Sequence, residues 1–177
     1  MKTVGLFYGS SSGKTEKVAY KIRERINRFS SIEIIDIAEI SKTDLRKYSL
    51  LIFGVSTWGI GRLQDDWLRF LMNNPPSNLK GLCLAFFGLG DQDGYPDTFN
   101  DGMGLLYNIY ERSGFKLVGK WPVSDYSFEN SKAIKDNEFV GLALDEDNQA
   151  DKTDERLDIW VSQIIRESKI MSQIYEE

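Results

Sequence analysis

Residues 9–15 read Gly-Ser-Ser-Ser-Gly-Lys-Thr and follow the apolar run Val4-Gly5-Leu6-Phe7-Tyr8. A Gly- and hydroxyl-rich turn that opens a helix suits an anion, because the unpaired N–H groups and the helix dipole both face it. A triphosphate cradle has the spacing GxxxxGK(S/T). Only Ser10, Ser11 and Ser12 stand between Gly9 and Gly13, and one step further back is Tyr8. The stretch is therefore too short for a triphosphate. Ser10, Ser11, Ser12 and Thr15 supply hydroxyls and Gly13 a flexible turn, which fits a single terminal phosphate. Lys14 can approach that phosphate or lie on an exposed helix face. Ser/Gly clusters are also ordinary turns.

Two further loops carry ligand-type residues. Ser56-Thr57-Trp58-Gly59-Ile60-Gly61-Arg62 sets a tryptophan among small residues at the end of an apolar run. Trp58 reads either as a stacking surface or as a core residue covering the end of a sheet. Gly59 and Gly61 free the backbone there. Gly88-Leu89-Gly90-Asp91-Gln92-Asp93-Gly94-Tyr95-Pro96-Asp97 offers a second aromatic, Tyr95, among carboxylates. A phosphate nest with two aromatic plates suits a flat aromatic ligand bearing one phosphate.

The elements that must position these loops alternate. Residues 3–8, 32–37, 50–55, 82–88 and 115–118 predict strands, the last resuming near 139–143. Residues 14–28, 63–72, 98–113 and 153–171 carry apolar residues at helical spacing, with Thr153 or Asp154 as a cap. Strands without polar alternation are buried on both faces, as in parallel sheets. Alternating strand and helix predicts a doubly wound α/β sheet, whose ligands bind at the carboxyl ends of the strands. Residues 119–152 fit no simple repeat and read as an insertion around the last strand.

Composition narrows the chemistry. The chain has 177 residues, no histidine and a single cysteine, so Ser-His-Asp and Cys-His sites are excluded, as is an internal disulfide. Cys83 lies in the apolar run Leu82–Phe87 and reads as a core thiol. A net charge of −5 argues against nucleic-acid binding and suits a basic protein partner. No apolar stretch is long enough to span a membrane, and no secretion signal stands at the start. A reducing, cytoplasmic setting is expected.

The set GLFYGSSSGKTE, STWGIG, DDW, FGLGDQDGYPDTF and VGLALDEDNQADKTDERLDIW resembles the flavodoxins, and the insertion resembles that of the long-chain subclass. The likeness runs over residues 3–165. It implies a three-layer α/β flavodoxin-like sandwich with a five-stranded parallel sheet in the order 2-1-3-4-5. One domain over 1–177 is expected, with an insertion at about 119–138. It also implies a low-potential one-electron carrier that uses non-covalently bound FMN and is not an enzyme.

By that resemblance, Ser10, Ser11, Ser12, Gly13, Lys14 and Thr15 wrap the FMN phosphate, and Trp58 and Tyr95 flank the flavin ring. Ser56, Thr57, Gly59 and Ile60 line one side, and Leu89, Gly90, Asp91 and Gly94 the other. Asp147 lies near the ribityl chain, and the Gly59–Ile60 peptide turns its carbonyl toward the flavin. Ser56, Gly59, Leu89 and Asp93 depart from the common long-chain pattern, which bears on the reduction potentials. Implied partners are a basic-surfaced flavodoxin/ferredoxin reductase and redox acceptor proteins, met transiently by a monomer that can replace ferredoxin. Asp65, Asp66, Asp93, Asp97, Asp145 and Glu146 are candidate docking residues. A flavin-dependent reductase would need open access above the ring, which Trp58 and Tyr95 would block. A phospho-acceptor module would need an acidic cluster where Gly9–Ser12 stands.

Overall fold

The computed structural model describes residues 3–170. In chain order the elements are β1 (Thr3–Tyr8), α1 (Lys14–Ile26), β2 (Ile32–Asp36), β3 (Tyr48–Trp58), β4 (Arg62–Leu63), α2 (Asp65–Asn73), β5 (Cys83–Leu89) and α3 (Asp101–Tyr110). They continue with β6 (Lys116–Leu117), β7 (Trp121–Pro122), β8 (Ile134–Lys135), β9 (Glu138–Phe139), β10 (Leu142–Leu144) and α4 (Thr153–Ser168).

The main sheet runs β2-β1-β3-β5-β10, with β6 also on β5 and the short β4 folded back on β3. All its pairings are parallel except β3–β4. β6 pairs with Cys83–Leu84 and β10 with Phe87–Leu89, so both occupy one edge position as a split last strand. The sheet thus has the expected order 2-1-3-4-5.

Helices cover both faces, and neighbouring residues of the same strands show it. Phe53 meets Trp67 of α2 and Tyr110 of α3, each at 5.1 Å between ring centroids. Phe86 meets Tyr107 of α3, whereas Phe87 meets Trp160 of α4 on the opposite face. Trp67 and Trp160 are fully buried. Their indole N–H groups donate to the carbonyls of Gly54 and Gly119, as buried polar groups must.

Three boundaries differ from expectation. Within the expected 139–143 the last strand resumes only at Leu142, because Phe139 pairs with Trp121 and Ile134 in a small three-stranded sheet. Neither Thr153 nor Asp154 caps α4, since the helix follows a short 3-10 turn and its cap position is Lys152. α4 ends at Ser168; residue 171 of the predicted helix lies outside the described residues.

Candidate functional site

A cavity of about 240 Å³ opens at the carboxyl ends of β1, β3, β5 and β10, where the sequence-predicted loops converge. Ser12 and Lys14 line it from the first loop, Ser56–Gly59 from the second, and Leu89, Gly90, Asp91 and Tyr95 from the third. Glu146 and Asp147 come from the turn after β10.

The first loop is held as an open turn. Gly13 takes φ 82°, the left-handed region, immediately before α1. Its N–H donates to Ser10 Oγ at 3.0 Å. Ser11 and Ser12 are exposed and Thr15 is buried. Lys14 crosses toward the opposite wall and donates to Asp147 Oδ1 at 2.6 Å. The Asp147 carboxylate raises the Lys14 ammonium above the ordinary lysine range.

In the second loop, Trp58 is 41% exposed, which removes the reading of it as a core residue. Its indole N–H donates to Ser56 Oγ at 3.1 Å. Gly59 sits at φ 49°, and a Cβ there would meet only the Arg62 side chain, in ordinary contact at 3.7 Å. Thr57 Oγ1 accepts from the Gly102 N–H, tying β3 to the start of α3.

The third loop is organised by Asp91. Its Oδ1 accepts from the Gly94 and Asp93 N–H groups and from Asn148 Nδ2. The Gly94 N–H, then the Asn148 amide, holds this carboxyl below the usual carboxylate range. Tyr95, 50% exposed, stands at the end of that turn. Asp91 both lines the cavity and shapes the turn that presents Tyr95.

The insertion braces this loop from behind. Ser127 N–H donates to Gln92 Oε1 at 2.6 Å, and Glu129 and Asn130 both donate to the Pro96 carbonyl. Phe99 stacks on Phe128 at 5.3 Å. Asp145 completes the brace: its carboxylate is fully buried and accepts from Gln92, Asp147 and Asn148 N–H groups and the Asn148 amide.

A model of the flavodoxin family matches residues 6–160. The flavodoxin of Synechocystis sp. is 44% identical over 164 residues, 93% of this chain and 96% of its own. The chain belongs to the flavodoxin family. The flavodoxin of Buchnera aphidicola is 43% identical over 166 residues, with 93% and 96% covered. The crystal structure of Fusobacterium nucleatum flavodoxin bound to flavin mononucleotide matches with a TM-score of 0.88 at 27% identity. It covers 94% of this chain and 99% of that one.

Within this flavodoxin, the cavity brings together Ser12, Lys14, Ser56, Thr57, Trp58, Gly59, Leu89, Gly90, Asp91, Tyr95 and Asp147. Ser10, Ser11, Gly13 and Thr15 form the adjoining turn. Ile60 stands outside the cavity lining at 84% exposure, and Gly94 lies beneath Asp91. Thr98 and Glu146 line the cavity without having been singled out as ligand residues. Thr98 follows Tyr95 by one tight turn, a spacing the motif could have suggested.

One docking candidate does not stand on the surface and two are only partly exposed. Asp145 is fully buried in the brace. Asp66 has a side chain only 15% exposed, held by Gln64 and Arg69. Glu146 is partly buried and accepts from the Thr153 hydroxyl. Asp65, Asp93 and Asp97 are exposed. Among the described residues there is no His/Cys/Asp/Glu cluster suited to a metal, and no helix is long and apolar enough to cross a membrane.

Proposed function

We propose that this flavodoxin binds one FMN non-covalently in the cavity and carries electrons singly between a reductase and acceptor proteins. The observation that carries the reading is that two half-exposed aromatics, Trp58 and Tyr95, line one cavity together with the hydroxyl-rich start of α1. Apolar rings left exposed beside such a turn suit a flat, singly phosphorylated ligand.

The donor set fits FMN. Ser10, Ser11, Ser12 and Thr15 would hold the phosphate through their hydroxyls, with the Lys14 N–H at the start of α1, while Gly13 shapes the turn and ties its own N–H to Ser10. Trp58 and Tyr95 would flank the ring, with Ser56, Thr57, Gly59 and Ile60 on one side and Leu89, Gly90, Asp91 and Gly94 on the other. Asp147 would stand by the ribityl chain. Bound FMN supplies a ring that takes up and releases electrons one at a time. Stacked on the two faces of the ring, these aromatics would exclude water there and leave no face open for a second substrate, which favours a carrier over a reductase. Asp91, Asp93, Asp97 and Asp147 disfavour added negative charge in the cavity, which suits a low potential. The Gly59 carbonyl would turn inward and accept a hydrogen bond from the ring, a rotation that a residue without a side chain permits.

We read the chain as one domain of the long-chain subclass, working as a cytoplasmic monomer. Exposed Asp65, Asp93 and Asp97 would steer it onto basic partners, a ferredoxin-type reductase among them, so that it could stand in for ferredoxin. Titration with FMN followed by stepwise anaerobic reduction tests the reading. One FMN per chain and two separate one-electron stages are expected. Failure to take FMN overturns the site; a single two-electron stage overturns the carrier.

A further inference from the structure

Gln64 lies directly beneath the first loop and is 1% exposed. Its Nε2 donates to Asp66 Oδ2 at 2.6 Å and to Ser11 Oγ at 3.1 Å. Asp66 is held in turn by Arg69 Nη2 at 2.5 Å on its other oxygen. A carboxylate only accepts hydrogen bonds. Turning the Gln64 amide over would press its oxygen against the Asp66 oxygen, so Asp66 fixes which end carries the nitrogen. One amide proton goes to Asp66 and the other is thereby committed to Ser11.

The opposite end of the amide shows what this orientation costs. Gln64 Oε1 is buried and has no hydrogen-bond donor. It is pressed against Gly9, where a Cβ would approach it to 2.1 Å. A buried acceptor left unpaired is unfavourable and calls for an explanation. The explanation lies at Ser11.

We propose that Arg69, Asp66 and Gln64 form a relay that fixes the Ser11 hydroxyl as a hydrogen-bond donor to the phosphate of the bound ligand. Gln64 is then a positioning residue that selects the phosphorylated ligand. A hydroxyl has one proton and two lone pairs. With the Gln64 N–H occupying a lone pair, the Ser11 proton cannot point back at that nitrogen and is left for the solvent side, where a phosphate oxygen would sit. Ser10 is set in the same sense, its Oγ accepting from the Gly13 N–H at 3.0 Å. Two adjacent hydroxyls are therefore prepared as donors before any ligand arrives, which lowers the ordering cost of binding. The inference rests on the reading that this loop holds the phosphate of FMN.

The test compares FMN with riboflavin, which has the same ring and side chain without the phosphate. Both are titrated into the wild type, Gln64→Met, Ser11→Ala, the double variant and Asp66→Asn. The methionine keeps the volume and removes both amide atoms. Gln64→Met is expected to lower FMN affinity about tenfold and leave riboflavin within about twofold. The double variant is expected to bind FMN no more weakly than Ser11→Ala, because Gln64 acts through Ser11. Asp66→Asn, similar in shape and nearer the surface, frees the amide to turn; it should show the same selective loss in smaller measure, and it decides the matter if Gln64→Met folds poorly. The ligand-free Gln64→Met protein should unfold at no lower temperature, since its orphaned oxygen is gone. Unchanged FMN affinity overturns the relay, as do parallel losses of FMN and riboflavin, or additivity with Ser11→Ala. A wild type that takes no FMN, or prefers it no more than riboflavin, overturns the phosphate-loop reading itself and the relay with it.

Discussion

Lys14, the first residue of α1, is ion-paired with Asp147 across the mouth of the cavity at 2.6 Å. The pair is the first rung of a ladder. Lys21 pairs with Asp154 and Arg25 with Asp158, each with the same sequence separation of 133. α1 and the segment leading into α4 therefore run in register. The rung at the mouth is half exposed on both sides, so it contributes at most about 1 kcal/mol.

Its role is expected to be electrostatic rather than structural. Asp147→Asn releases Lys14 toward the phosphate and should tighten FMN binding about threefold at low salt, a gain that fades by about 0.5 M salt. Lys14→Ala leaves Asp147 unpaired beside a phosphate and should weaken binding by a similar factor. Asp147 raises the Lys14 pKa. The pair's contribution is thus complete below the ordinary lysine range and is lost only as pH rises through the raised value. The affinity difference should be flat between about pH 6 and 9. Fluorescence titrations across salt and pH check both points.

Trp58 and Trp67 make a matched test of ligand against core. Trp58 is exposed, so Trp58→Ala should shift ligand-free stability by no more than about 0.5 kcal/mol, while FMN affinity falls at least about tenfold. Trp67 is fully buried against Phe53 and Phe70. Trp67→Ala should cost about 3–5 kcal/mol of stability. Urea unfolding of the ligand-free proteins separates the two, and equal destabilisation would contradict the assignment.

The parts of this molecule legible in its sequence are those whose physics is local. β1, β3 and β5 are unbroken apolar runs because both faces are covered. The turn at Gly9–Thr15 is visible because strand, glycine and helix start adjoin. What stayed hidden depends on distant partners. Asp145 reads as one member of a surface acidic run, yet it is buried because the Gln92 N–H, 53 residues away, and the Asn148 amide satisfy it. Gln64 falls without distinction in the predicted helix 63–72, yet its partner Ser11 is also 53 positions distant. Phe139 reads as part of the resumed last strand, and only its pairing with Trp121 and Ile134 puts it in the small sheet.

Acid should loosen the Tyr95 loop before the core. Asp91 is held below the usual carboxylate range, chiefly by the Gly94 N–H. A carboxyl with a depressed folded-state pKa adds stability above its unfolded value and loses it as pH falls through the folded one. Its contribution is therefore complete from about pH 5 upward, begins to fall near about pH 4 and is gone only below the depressed folded-state value. Asp91→Asn should be less stable than the wild type at neutral pH and converge with it in acid. Denaturation curves at both pH values measure this, and a constant gap between them would show that Asp91 does not carry the acid response.

Gly59 gives the sharpest link from backbone to redox behaviour. It stands at φ 49°, and an added Cβ would meet nothing nearer than the Arg62 side chain at 3.7 Å. Gly59→Ala therefore has room for its methyl group and pays only for the left-handed conformation, about 1–2 kcal/mol. Ligand-free stability should fall by up to that amount unless the peptide turns to relieve it. If the Gly59 carbonyl serves the flavin by turning inward, restricting that peptide alters the reduced stages more than the oxidised one. FMN affinity of the oxidised protein should change less than about fivefold, or about 1 kcal/mol. The two one-electron potentials should move toward each other by tens of millivolts, since about 59 mV corresponds to a tenfold change for one electron. A potentiometric titration reads the separation directly. Potentials that do not move, in a variant that is destabilised as stated, would assign Gly59 to the turn alone.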